Sequence, residues 1–147
     1  MSASREAVMT ALWTLAGTVT GVSAANTSRR DRSHEDLTPA QCPAIFILES
    51  SDEYERPSVS LPPKRHLIVS LAIYNVVPPS NLNVFPATAI NNALDALDAA
   101  LKPLDSSGLF NLGGLVDSVV IEGEVKRFGG DRTGAAAAIV PLRVTLP

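Results

Sequence analysis

Apolar positions along the chain recur with two periods, and these divide it into six elements. Ala7, Val8, Ala11, Leu12, Leu15 and Ala16 follow the spacing of one helix face, with Arg5, Glu6, Thr10 and Thr14 mostly elsewhere. Gly17 lies just beyond the last periodic residue, where helices commonly stop. Residues 18–41 lose the period, and the polar, charged run from Asn26 to Asp36 predicts a long loop. Pro43 opens the apolar run Ala44-Ile-Phe-Ile-Leu48, which reads as a buried strand. Residues 50–64 are polar, and Pro57, Pro62 and Pro63 predict an irregular connection there. From Arg65 to Val77 the pattern alternates, with Leu67, Val69, Leu71 and Ile73 on one side and Ile68, Ser70, Ala72 and Tyr74 on the other. Pro78-Pro79 ends this strand. Pro86 suits a first helical position, and Ile90, Leu94, Leu97 and Leu101 then mark a helix that Pro103 terminates.

After a connection rich in Gly, Ser and Asn, Ser106 to Gly114, alternation resumes from Leu115 to Phe128. Val119, Ile121 and Val125 stand opposite Ser118, Glu122 and Glu124 in that strand, and Gly123 marks a bulge or a close backbone approach. Phe128-Gly-Gly-Asp-Arg-Thr-Gly134 reads as a hairpin connection. Ala135 to Leu146 holds four alanines, which favour helix, but its alternation and its β-branched Ile139, Val140, Val144 and Thr145 predict a strand. Pro141 then implies an edge strand or a bulge. The resulting order, α-β-β-α-β-β, predicts an α+β fold. Its expected form is one mixed or antiparallel four-stranded sheet with two amphipathic helices packed on one face. At 147 residues the chain reads as a single domain, with long polar loops at about 18–41 and 50–64.

Composition narrows the function classes. With 46% apolar and 18% charged residues the chain is too apolar to be disordered throughout. One cysteine, Cys42, excludes an internal disulfide and the cysteine-rich zinc sites. A net charge of -3 offers no basic field for nucleic acid. Residues 1–26 have the outline of a secretory signal, with Arg5 ahead of an apolar stretch and Val22-Ser-Ala24 resembling a cleavage site. Glu6 cancels the charge of Arg5, and Thr10, Thr14, Thr18 and Thr20 interrupt the apolar stretch, so the helix reading is preferred. No uninterrupted apolar stretch reaches the length of a membrane span.

Candidate chemistry is sparse. His34 and His66 lie in different segments, and a metal site needs more ligands than one histidine and loop carboxylates provide. Cys42 precedes the first strand and reads as a small buried hydrophobe. Gly113-Gly114 and Gly129-Gly130 lack the ending and the strand–helix context of a phosphate loop. The acidic cluster Glu49, Asp52, Glu53 and Glu55 lacks the ligand spacing and central glycine of a calcium loop and reads as a solvated hairpin tip. Arg29, Arg30 and Arg32 suit the phosphates or carboxylates of a partner, although Asp31, Glu35 and Asp36 neutralise them locally. Neither a catalytic constellation nor a cofactor site emerges.

Five features, taken in order, resemble the tail-terminator (tail completion) proteins of long-tailed phages, the lambda gpU-like group. They are the opening helix Arg5-Glu-Ala-Val-Met-Thr-Ala-Leu12 with Arg29-Arg30 in the polar stretch beyond it, and the strand Pro43-Ala-Ile-Phe-Ile-Leu-Glu49 followed by Asp52-Glu53. Then come the strand Leu67 to Tyr74 with Ile90-Asn-Asn-Ala-Leu-Asp-Ala-Leu97 after it, the segment Gly114-Leu-Val-Asp-Ser-Val-Val-Ile-Glu-Gly-Glu124, and the closing strand Ala138-Ile-Val-Pro-Leu-Arg-Val144. The resemblance spans nearly the whole chain and rests on order and spacing.

It implies a non-enzymatic virion protein, assembled in the host cytoplasm, without cofactor or membrane association. Six copies would form a ring that caps the tail tube, ends tube polymerisation and offers a docking surface to the head-side connector. DNA would pass through the lumen without sequence-specific binding, which suits a chain lacking a basic field. Polarity and loop length select Arg29, Arg30, Arg32, Asp52, Glu53 and Arg56 as candidate partner-interface residues. Competing classes are another neck or tail subunit (a head–tail connector or tube protein), a secreted binding domain if residues 1–24 are a signal, and a small enzyme using Cys42 or His34.

Overall fold

The computed structural model of the chain describes residues 4–19, 27–28, 38, 41–56, 58–78, 85–102, 111–129 and 134–146. The first helix, α1 (Arg5–Gly17), starts where the Ser4 hydroxyl accepts a hydrogen bond from the Ala7 backbone N–H at 3.1 Å. It buries Val8, Met9, Leu12 and Ala16. This stripe is rotated from the one the sequence predicts: Ala7 is exposed and Met9 takes its place inside. Turning the helix by this amount exchanges a methyl group for a long apolar side chain and so removes more apolar area from water. The second helix, α2 (Pro86–Ala100), begins on its predicted proline and buries Ile90, Ala93 and Leu97, with Leu94 and Leu101 packed at the margin.

Among the described residues six strands form one sheet: β1 (Thr27–Ser28), β2 (Ala44–Glu55), β3 (Lys64–Val76), β4 (Ser118–Ile121), β5 (Lys126–Gly129) and β6 (Ala135–Thr145). Their order across the sheet is β1-β2-β3-β6-β4, and β5 also pairs with β6. All pairings are antiparallel except β1 with β2. The class is α+β, and the sheet is mixed. It has two more strands than predicted, because β1 lies in the stretch read as loop and the strand expected over 115–128 is divided into β4 and β5.

Period two separates the two faces of the sheet. Ile45, Ile47, Leu67, Val69, Leu71, Ile73, Ala138, Val140, Leu142 and Val144 are buried in one cluster with the apolar stripes of α1 and α2. Both helices therefore cover the same face, as the layer rule requires. On the other face Ala44, Phe46 and Ala72 form a smaller cluster with Leu48, Tyr74, Val76 and Ile139. The rings of Phe46 and Tyr74 pack there at 5.6 Å with an interplanar angle of 48°.

Pro141 lies in the central strand β6, between β3 and β4, and not on an edge. The sheet accommodates it through an interruption. Ile121 pairs with Leu142 and Lys126 with Ile139, so residues 122–125 stand opposite residues 140–141. The Glu122 N–H donates to the Pro141 carbonyl at 3.2 Å. The N–H and C=O of a strand residue point to the same side, so the N–H that proline lacks faces this interruption, where no ladder bond is lost. Gly123 sits in the same stretch at φ +109°, and a Cβ there would lie 3.5 Å from Pro141 Cγ. The glycine thus marks a break between two strands, with the backbone turned into a conformation that L side chains rarely adopt.

Candidate assembly surfaces

The polar stretch after Leu48 is not a loop. It continues β2 to Glu55, and only residues 56–63 connect β2 to β3. A bulge between Glu49 and Ser51 shifts the register by one, after which pairing resumes from Ser51↔Ile68 to Glu55↔Lys64. Strand pairing prevails over polarity here because Asp52, Glu53, Tyr54 and Glu55 each find a partner on their own face. Asp52 and Tyr54 face the helix layer, where Arg5 Nε lies 2.6 Å from Asp52 Oδ2 and Arg5 Nη2 lies 2.6 Å from the Tyr54 hydroxyl. Glu53 and Glu55 face the other way. Arg143 Nη1 donates to Glu53 Oε2 at 3.0 Å, and Arg143 Nε lies 3.5 Å from Glu122 Oε2.

His66 is buried beside this pair, with Nδ1 3.0 Å from the Thr145 hydroxyl and Nε2 3.2 Å from Glu55 Oε2. The ring therefore ties β3 to β6 and to the end of β2. Within the acidic cluster Asp52 is turned to one face and Glu53 and Glu55 to the other. Among the described residues no group of three potential metal ligands comes together.

Arg5 occupies the positive end of α1, where a cation is disfavoured. Hydrogen bonds that it donates to Asp52 and then Tyr54 hold its guanidinium still more firmly protonated. A cleft of about 420 Å³ opens beneath this contact, with Met9, Leu67 and Val69 among its lining residues. Cys42 packs at the margin of the smaller apolar cluster. Burial pushes its thiol up, against a hydrogen bond from the Val76 backbone that pulls it down. A raised thiol carries less thiolate at neutral pH than a free one.

Of the predicted interface residues, Arg29, Arg30 and Arg32 lie outside the described residues, as does His34. Asp52 and Glu53 are adjacent in sequence but turned to opposite faces. Arg56 is exposed at the start of the connection. Sequence reasoning passed over the exposed apolar residues. At the hairpin end Val59 is 93% exposed, Leu61 53% and Tyr54 59%. At the far end of the sheet Phe85 is 67% exposed and Phe128 54%. A cleft of about 260 Å³ lies between α2 and the β5–β6 pair, with Ala87, Ile90, Arg127, Phe128, Ala136 and Ala137 among its lining residues. Arg127 closes one side of it with a hydrogen bond to the Asn91 side chain. Val59 and Leu61 were visible in the sequence as isolated apolar residues within a run of serine and proline. Phe85 stood just ahead of the helix-starting Pro86.

Among the described residues no helix is long and apolar enough to cross a membrane. No family model matches the chain, and no curated protein matches it. Among solved structures, the fold recurs in a chain of the virion of a native gene transfer agent particle. That chain is 10% identical, with a TM-score of 0.56, and the match covers 98% of this chain and 94% of the other.

Proposed function

We propose that this chain is a structural subunit of a phage-like particle, and that within it the chain serves as the tail terminator. The observation carrying this reading is the fold shared from end to end with a chain of a gene transfer agent virion, in which neither chain has a large part left over. In this role copies join into a ring, six by family resemblance. The ring caps the finished tail tube, stops its growth and presents its other face to the head-side connector. The chain performs no catalysis and needs no cofactor. DNA passes through the ring without sequence-specific contacts. The completed ring is part of the virion, and its subunits assemble in the host cytoplasm.

Terminators and tube proteins differ in what they build. Purified protein should form rings by negative stain and by sizing, and adding it to growing tail tubes should halt elongation. Open filaments formed by the chain alone would mark a tube protein instead. A chain that neither forms rings nor affects tube growth would overturn the terminator reading.

A further inference from the structure

Two stretches of backbone lie open at the sides of the sheet. Among the described residues β1 pairs with the outer side of β2 only at Ile45 and Phe46, and the outer side of β4 has no partner strand. Hydrogen-bond alternation fixes which groups point outward there. The Leu146 N–H donates to the Arg65 carbonyl at 2.9 Å, so odd-numbered residues of β3 bond to β6 and even-numbered ones to β2. Ser51 and Glu53 therefore bond to β3, and Asp52 and Tyr54 turn N–H and C=O outward. The Glu122 N–H donates to the Pro141 carbonyl, so Ser118 and Val120 bond to β6, and Val119 and Ile121 turn their groups outward.

The two open edges match. Asp52 pairs with Leu67, Leu67 with Val144 and Val144 with Val119, so both stretches lie in one row of the sheet. The row crosses four antiparallel strands, and an even number leaves its two edges running in opposite directions with the pleat in step. Copies set side by side in one orientation thus bring β4 to β2 antiparallel, without sliding along the strands. A contact between two different edges is heterologous, and such contacts close into a ring when the rotation allows.

Charge permits the same meeting. β4 is Ser118-Val-Val-Ile121, with no charged residue, and an open edge of that kind is a ready template for another strand. On β2, Asp52 is held by Arg5, Glu53 by Arg143 and Glu55 by His66. Two carboxylates flank β4. Glu122 lies 3.5 Å from Arg143, and exposed Asp117 comes to the Tyr54 end of β2, where the guanidinium of Arg5 bonds the Tyr54 hydroxyl.

We infer that β4 of one copy pairs antiparallel with the outer side of β2 of the next, with Val119 opposite Asp52 and Ser118 opposite Glu53. The inference rests on the ring reading above and names the contact that closes the ring. β4 is too short to hold a partner strand by itself, but in a ring every copy is held at both edges.

Two experiments on the full chain test this. Glu53 and Ser118 would form a pair without mutual hydrogen bonds, whose Cα atoms stand about 4.5 Å apart, within reach of a disulfide. In a Cys42→Ser background, Glu53→Cys combined with Ser118→Cys should, on oxidation, give a ladder of covalent oligomers ending at the ring. The control pair, Glu53→Cys with Lys126→Cys, should give none, because Lys126 pairs with Ile139, about 20 Å along β6 from the Ser118 row. In the unmodified chain, hydrogen exchange read by mass spectrometry should slow at least about tenfold in peptides carrying Asp52 and Val119 once the ring forms, in solution or on a tube end. Rings in which these peptides exchange as in the monomer, or equal cross-linking in the control pair, overturn the edge pairing and leave the terminator reading standing. A wild-type chain that stays monomeric and fails to halt tube growth overturns both.

Discussion

Ala7 and Met9 turn the orientation of α1 into a test with opposite signs. The sequence stripe places Ala7 inside, whereas in the structure Ala7 is exposed and Met9 is buried. Ser4 caps the helix and Ala7 is the third residue after it, the position that completes a capping box when it holds glutamate. If Ala7 is exposed, Ala7→Glu lets the new carboxylate reach back to the Ser4 N–H and sit at the positive helix end, for a gain of about 0.5 kcal/mol. If Ala7 faced the core, the same change would bury a carboxylate and cost several kcal/mol.

Met9→Ala removes a side chain that is 2% exposed, and buried Met→Ala changes cost about 2–5 kcal/mol. Near this chain length each kcal/mol shifts the melting temperature by about 2–4 °C. Met9→Ala should therefore melt roughly 5–15 °C lower. Ala7→Glu should melt at or slightly above the wild type, with the gain shrinking in high salt. Thermal and urea unfolding followed by circular dichroism measures both. A drop of more than about 2 °C in Ala7→Glu, beyond what surface changes cause, or a Met9→Ala protein as stable as wild type, would refute the placement of α1.

Other consequences follow from single contacts. Gly123→Ala forces a Cβ into φ +109° beside Pro141 and should cost about 1–3 kcal/mol, read by urea unfolding; an unchanged midpoint would refute the strand break. The Arg5–Asp52 pair is solvent-exposed on both sides, so a double-mutant cycle should return no more than about 1 kcal/mol and lose it in molar salt. A coupling that survives salt would contradict that geometry. The Cys42 thiol, raised by burial, is more fully protonated at pH 7 than a free cysteine. Its reaction with a disulfide reagent should be slower than that of a free thiol and should accelerate as pH rises. Labelling as fast as a free thiol at neutral pH would count against its burial.

Sheet and helices were legible because period and punctuation agree there. β6 alternates over its whole length and β3 over much of its own, and α2 runs between a proline that starts it and one that follows it. What misled was polarity. Ser51 to Glu55 has the composition of a loop, yet it forms strand because Arg5, Arg143 and His66, remote in sequence, supply partners on each face. No local window contains those residues. Pro141 misled in a related way: proline usually signals an edge, but the gap between β4 and β5 removes the need for its N–H. The division of the 115–128 strand and the acceptance of Pro141 are one structural fact, and Gly123 was its only local sign.

The candidate surfaces were harder to read than the core for the same physical reason. A buried residue is constrained by its own chain, so its pattern repeats with the element that carries it. A residue that serves a neighbouring molecule is constrained by a surface outside the chain and repeats with nothing. Val59, Leu61, Phe85 and Phe128 are apolar without period, and each lies in or beside an irregular segment or an edge strand. Scattered exposed apolar residues are ordinary on a monomer. What distinguishes these is position: Val59 and Leu61 lie on a hydrogen-bonded turn at one end of the sheet, and Phe85 and Phe128 lie towards the opposite end, so neither pair follows the period of the strand or helix beside it.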